Sequence, residues 1–152
     1  MADATALVVD DDADTADVLS EFLELKGITV VGKARDGNDA VLSYADLRPD
    51  IVFLDVLMSK GGGFLAVEMI RRIEPDALII VVTSDNRDET RRRLLDLGAS
   101  AIIYKPYDIG EVMDTANMLL MRLRHDLLED IEHKKDQIRR LNELLSRRFQ
   151  GC

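Results

Sequence analysis

Five short runs rich in Val and Ile recur before residue 105, and each is separated from the next by a longer amphipathic stretch. The runs are Ala6–Val9, Ile28–Gly32, Ile51–Leu54, Leu78–Val82 and Ala101–Tyr104. Near-continuous apolar runs of this length suit strands buried on both faces of a parallel sheet. The stretches between them carry apolar residues at helical spacing. Val18, Leu19, Phe22, Leu23 and Leu25 form one stripe, which stops at Gly27. Ala40, Val41 and Tyr44 to Leu47 form a second, ended by Pro49, and Phe64, Val67, Ile70 and Ile73 a third, ended by Pro75. Leu94, Leu95 and Leu97 form a fourth, ended by Gly98, and a fifth begins near Asp108. Glycine and proline at those places are helix stops. Parallel strands need crossover connections, and helices supply them. The expected fold is α/β: a doubly wound, five-stranded parallel sheet followed by a long C-terminal helix.

That last helix has no stop signal, since neither Pro nor Gly occurs between Glu111 and Gln150. Running to about Phe149, it would reach roughly 60 Å at the α-helical rise. A globule of this size is only about 30–35 Å across, so about half the helix is expected to project. The chain then divides into a domain over 1–121 and a helical extension over 122–152. The extension carries a heptad seam. Ile131, Ile138 and Leu145 take position a, and Leu127, Lys134, Leu141 and Arg148 take position d. Branched residues at a with Leu at d favour two parallel strands. Asp130 at g would face Lys135 at e of a second copy, so a homodimer through this helix is expected, with Lys134 and Arg148 weakening it.

Charge narrows the partners. The net charge is −9, with 12 Lys/Arg against 20 Asp/Glu in residues 1–107 and 8 against 9 in the remainder. Phosphate backbones select for Lys and Arg, so nucleic acid is not an expected partner. Arg91, Arg92 and Arg93 read as a solvated helix face. No apolar run approaches a membrane span. The single cysteine, Cys152, leaves no intrachain disulfide and reads as a free tail thiol. A cytoplasmic protein away from membranes is the expectation.

The acidic excess has a focus. Asp10, Asp11 and Asp12 follow the first run, Asp55 the third, Thr83 and Ser84 the fourth, and Lys105-Pro106 the fifth. In a doubly wound sheet, strand carboxyl ends converge on one crevice. Clustered carboxylates repel, and Mg²⁺, a hard ion that takes oxygen ligands, is the natural compensating cation. A lysine and a hydroxyl beside it would complete a site for phosphoryl transfer, where catalysis is mostly positioning and charge neutralisation.

Val8-Val9-Asp10-Asp11-Asp12, Phe53-Leu54-Asp55-Val56, Val82-Thr83-Ser84 and Tyr104-Lys105-Pro106, taken in order, resemble the response-regulator receiver family of two-component signalling. The resemblance covers residues 5–120 or so, and Gly63 matches a family glycine eight residues after the phosphoacceptor. It implies a flavodoxin-like receiver fold and a set of roles. Asp55 would accept the phosphoryl group from a phosphohistidine on a sensor histidine kinase or a phosphotransfer protein. Asp11 would bind Mg²⁺ directly, Asp10 through water, and Asp55 and the Leu57 carbonyl would complete the protein ligands. Lys105 would pair with Asp55 and then with the phosphoryl group. Thr83 would hold a phosphoryl oxygen, and the small Ser84 would leave the donor room. Such a chain would catalyse only its own phosphorylation and dephosphorylation.

Three positions depart from the family. Ser59 stands where it often has Pro, Gly62 where it often has Asp, and Ile102 where it tends to place an aromatic switch. Ser59 to Gly63 should therefore be flexible, and Thr83 lacks a rotating ring at the usual position, the nearest aromatic being Tyr104. An alternative is the regulatory receiver of a larger response regulator, such as a cyclic-dinucleotide enzyme. A transcription factor is disfavoured because no helix-turn-helix follows. An aspartate phosphatase would need a second carboxylate where Leu57 stands.

Overall fold

The structure, a computed structural model, describes residues 4–150, so Cys152 lies outside the described residues. Five strands and five helices alternate strictly. They are β1 (Thr5–Val9), α1 (Ala13–Leu25), β2 (Thr29–Ala34), α2 (Gly37–Leu47), β3 (Ile51–Leu54), α3 (Gly63–Ile73), β4 (Leu78–Thr83), α4 (Asp88–Leu97), β5 (Ala101–Tyr104) and α5 (Ile109–Gln150). All strand pairs are parallel, in the order β2-β1-β3-β4-β5. The order reverses between β1 and β3, which places the functional crevice at their carboxyl ends. The chain forms two compact units, one ending at Leu119 and the other beginning at Leu120.

The helix ends follow from local chemistry. Asp12 caps α1, its carboxylate accepting from the Asp14 and Thr15 amides. That satisfies donors the first turn cannot pair internally. At the other end Gly27 sits at φ 90°, and the Ile28 amide donates to the Leu23 carbonyl at 2.9 Å. This is a Schellman termination, with Ile28 and Leu23 both buried beside each other.

Strand alternation divides the core into two layers. Leu7, Val9, Val52, Leu54, Ile79 and Val81 pack with Ala40, Tyr44, Ala66, Val67, Ile70 and Leu94 of α2, α3 and α4. The alternate residues, Val8, Phe53, Ile80 and Val82 among them, are also buried. Opposite them lie Ala16, Leu19 and Leu23 of α1 and Val112, Ala116 and Leu119 of α5, all buried. Sealing both faces makes β1, β3 and β4 rigid carriers for whatever follows them. The second run differs from expectation: β2 is an edge strand with alternate residues exposed, and β1 is the one strand that pairs with it among the described residues.

Beyond the first unit, every residue of α5 from Arg124 to Gln150 is exposed. The apolar stripe of Leu127, Ile131, Ile138, Leu141 and Leu145 is 45–58% exposed. His125 pairs with Glu129 one turn on at 3.1 Å, an exposed surface contact. Among the described residues, no helix is long and apolar enough to cross a membrane.

Candidate functional site

The register of the sheet assembles the site. Val9 of β1 stands opposite Leu54 of β3, so the next residues, Asp10 and Asp55, emerge side by side. Their backbones are fixed by Asp10 N–H donating to the Ala34 carbonyl at 3.0 Å and Asp55 N–H to the Val9 carbonyl at 2.9 Å. Thr83 of β4 stands opposite Tyr104 of β5, and the Lys105 amide donates to the Thr83 carbonyl at 2.8 Å. Lys105 thus leaves the end of β5 aimed along the crevice. The Lys105-Pro106 peptide is cis.

Lys105 Nζ lies 3.1 Å from Asp10 Oδ2 and 3.2 Å from Asp55 Oδ2. One cation is shared by two carboxylates whose side chains are only 9–10% exposed. Burial opposes the charge of Lys105, but Asp55 and Asp10 outweigh it and hold its pKa above the usual lysine value. The remaining carboxylate oxygens are oriented by main chain. The Leu57 amide donates to Asp55 Oδ1 at 2.9 Å, and the Asp12 amide to Asp10 Oδ1 at 3.0 Å. Asp11 points elsewhere. Its Oδ2 accepts from the Ser59 amide at 2.7 Å, and hydrogen bonding from Ser59 is the main reason its pKa is lowered.

Thr83 is fully buried, and its Oγ1 accepts from the Asp85 amide at 3.2 Å. Ser84 beside it is exposed. Asp85 organises the loop into α4. It takes two bonds from the Arg87 guanidinium, at 2.9 and 2.7 Å, and one from the Thr90 hydroxyl at 2.8 Å. Those bonds, Arg87 first, depress its pKa strongly.

The structure therefore brings Asp10, Asp55 and Lys105 into contact, sets Thr83 and Ser84 at the adjacent strand end, and ties the Leu57 main chain to Asp55. Three contributors were not foreseen. Tyr107 lines a small cavity with Asp10, Asp55 and Lys105, and burial raises its pKa; its place two residues after the lysine was the available signal. Asp85 and the Ser59 amide are the others. Ser59 to Gly63, the segment expected to be flexible, carries several anchors. The Ser59 amide holds Asp11, the Gly61 amide closes a turn on the Met58 carbonyl at 2.9 Å, and Met58 is buried. Gly62 abuts Gly37, and Gly63 abuts the Val56 main chain, so closely that neither Gly37 nor Gly63 has room for a Cβ.

Among the described residues, no three His, Cys, Asp or Glu side chains converge as a ready-made metal cage. Mg²⁺ does not require one, because it binds through one or two carboxylates and keeps several waters. Asp10 and Asp55 are hard oxygen donors sharing a single positive charge, with Asp11 next in sequence. This donor set fits that ion.

Comparison with known proteins decides the family. The model for the response regulator receiver domain matches residues 6–117. This chain belongs to the response-regulator receiver family. The chemotaxis protein CheY of Thermotoga maritima is 33% identical over 111 residues, 73% of this chain and 92% of that protein. A protein-glutamate methylesterase/protein-glutamine glutaminase of Myxococcus xanthus is 33% identical over 129 residues, 84% of this chain but only 35% of that longer protein. The response regulator GacA of Pseudomonas aeruginosa is 31% identical over 120 residues, which is 56% of its length. Among solved structures, a CheX–CheY–BeF3–Mg²⁺ complex from Borrelia burgdorferi aligns with a TM-score of 0.73 and 27% identity, covering 77% of this chain and 89% of the other. The receiver is a two-component phospho-receiver in fold and family.

Proposed function

We propose that Asp55 is the phosphoacceptor and that the receiver signals by protein contact as a homodimer. The observation that carries this is the single Lys105 ammonium held between the Asp10 and Asp55 carboxylates. In the proposed transfer, an Asp55 carboxylate oxygen attacks the phosphorus of a phosphohistidine on a sensor histidine kinase or phosphotransfer protein. The P–N bond breaks, its electron pair leaves with the imidazole, and an acyl phosphate forms on Asp55. Lys105 then pairs with the new phosphoryl oxygens, and the buried Thr83 hydroxyl would donate to one. Exposed Ser84 leaves the donor access. Asp10, Asp11, Asp55 and the Leu57 carbonyl are the residues that would hold Mg²⁺, which when bound neutralises charge on the reacting group. The CheY complex with BeF3 and Mg²⁺ supports a Mg²⁺ site in a receiver of this fold.

Phosphorylation adds about −1.5 to −2 charges and three acceptor oxygens. The groups that would follow that charge are Thr83, at the end of β4 beside the loop that Asp85 braces against α4, and Lys105 after the end of β5. The exposed stripe of α5 is the proposed dimer seam. The setting that fits kinase-coupled signalling is the cytoplasm.

The test is phosphorylation by acetyl phosphate with Mg²⁺, comparing the parent with Asp55→Asn by intact mass. A phosphoryl adduct on the parent alone is expected. An adduct of equal yield on Asp55→Asn would overturn the assignment.

A further inference from the structure

Ser59 occupies the second position of the turn that the Gly61 amide closes on the Met58 carbonyl. Proline is favoured at that position, because its fixed φ matches the turn and no partner is needed for its nitrogen. The family often has proline there, as noted above. A proline has no N–H. The serine therefore adds two donors that proline lacks, an amide and a hydroxyl, and the amide is spent on Asp11 Oδ2 at 2.7 Å. A main-chain amide on an ionised carboxylate is a charge-assisted hydrogen bond, stronger than its neutral counterpart. It fixes Asp11 towards the β3–α3 loop, while Asp10 and Asp55 are fixed towards Lys105.

We infer that the Ser59 main-chain amide competes with the divalent cation for Asp11 and sets the Mg²⁺ affinity of this receiver. The inference rests on the reading of Asp11 as a metal-binding carboxylate. Asp11 has two ways to neutralise its charge, and only one keeps the loop tethered. Ser59 is exposed, so its amide can pass to water when Asp11 lets go. The exchange is therefore reversible and its cost moderate. Linkage makes it reciprocal: whatever holds Ser59 against Asp11 weakens the cation, and the cation weakens the tether. Mg²⁺ occupancy is then communicated to the loop from Met58 to Gly62, which abuts α2 at Gly37.

The test is a calorimetric Mg²⁺ titration of the full chain as parent, Ser59→Pro, Ser59→Ala and Asp11→Asn. Ser59→Pro removes the amide and keeps the turn; Ser59→Ala keeps the amide and removes the hydroxyl. Ser59→Pro is expected to bind Mg²⁺ roughly three- to tenfold more tightly, the range a hydrogen bond to a charged group allows after partial replacement by water. Ser59→Ala, which gives up only the hydroxyl's share of the hydrogen bonding to Asp11, should tighten less than Ser59→Pro. If the alanine variant tightens as much as the proline variant, the amide is not the competitor. If neither differs from the parent while Asp11→Asn weakens binding, the inference fails and the metal reading stands. If Asp11→Asn binds as the parent does, the metal reading itself fails. A second readout is independent of the folding of any variant: in the parent, the ¹H–¹⁵N resonance of Ser59 should shift as Mg²⁺ is added, along the same curve as the heat. A Ser59 resonance unmoved at saturating Mg²⁺ would sink the proposal.

Discussion

At the scale of single residues, charge accounting dominates. Lys105 is the cation shared by Asp10 and Asp55, so Lys105→Met leaves two adjacent buried carboxylates without it. Removing a preorganised charge partner of a transferring group costs about 10²–10³ in rate. Phosphorylation by acetyl phosphate, followed by intact mass, should slow by about that factor in Lys105→Met while Mg²⁺ still binds. Asp85 acts on Thr83 through the loop. Its folded pKa lies below the ordinary 3.8 because Arg87 and Thr90 donate to its carboxylate. A depressed acid contributes stability above its unfolded pKa and loses it as pH falls through the folded one. The melting-temperature gap between the parent and Asp85→Ala should be constant above about pH 5 and shrink progressively below about pH 4, the unfolded-state range for aspartate. A gap that widens on acidification would contradict the assignment. The letters announced Asp10, Asp55, Thr83 and Lys105, because each ends an apolar run and strand ends converge. They could not announce that Asp11 turns to Ser59. A main-chain donor has no letter of its own, and which acceptor it meets is settled only by the turn.

At the scale of elements, the runs that defined the strands were legible because burial on both faces leaves no polar interruptions. The edge position of β2 was less legible. Thr29, Gly32 and Lys33 are its visible marks, and they read equally as imperfections in a buried strand. The packing of the β3–α3 segment was hard to read for a different reason. Glycines signal freedom in an isolated chain, but here they permit close packing. Gly37, in the first turn of α2, lies against the Gly62 main chain, and a Cβ on it would collide with the Gly62 carbonyl. That neighbour is backbone and cannot swing aside as a side chain would. Gly37→Ala should therefore destabilise the fold by about 1–3 kcal/mol, the usual cost of overpacking. The check is the urea midpoint, which should fall without a change in slope. Alanine is the better helix former, so a raised midpoint would show that the contact yields.

At the scale of the molecule, the question is what covers the stripe of α5. Leu127, Ile131, Ile138, Leu141 and Leu145 remain about half exposed. Facing two copies of the helix in parallel register pairs every g residue with an e residue of compatible chemistry. Leu123 meets Leu128, Asp130 meets Lys135, Gln137 meets Asn142, and Leu144 meets Phe149. That agreement favours a second copy in parallel over any other covering, and it turns orientation into a charge experiment. Asp130→Lys should weaken the dimer, since two lysines then face each other across the seam on both sides. Adding Lys135→Asp should restore it, because the pair is rebuilt with signs exchanged. Ile138→Lys attacks the apolar seam itself, following Lys134 with a second cation layer. Burying an isoleucine is worth about 1.5–3 kcal/mol, and the dimer loses two. The dissociation constant should rise by about 10² or more. Sedimentation equilibrium of the parent and the three variants reads all of this at once. Rescue by the double exchange supports the parallel seam. A parent that is dimeric but indifferent to Asp130→Lys would place the copies in another orientation. A parent monomeric into the high micromolar range would remove the seam from the account and leave the Asp55 chemistry untouched.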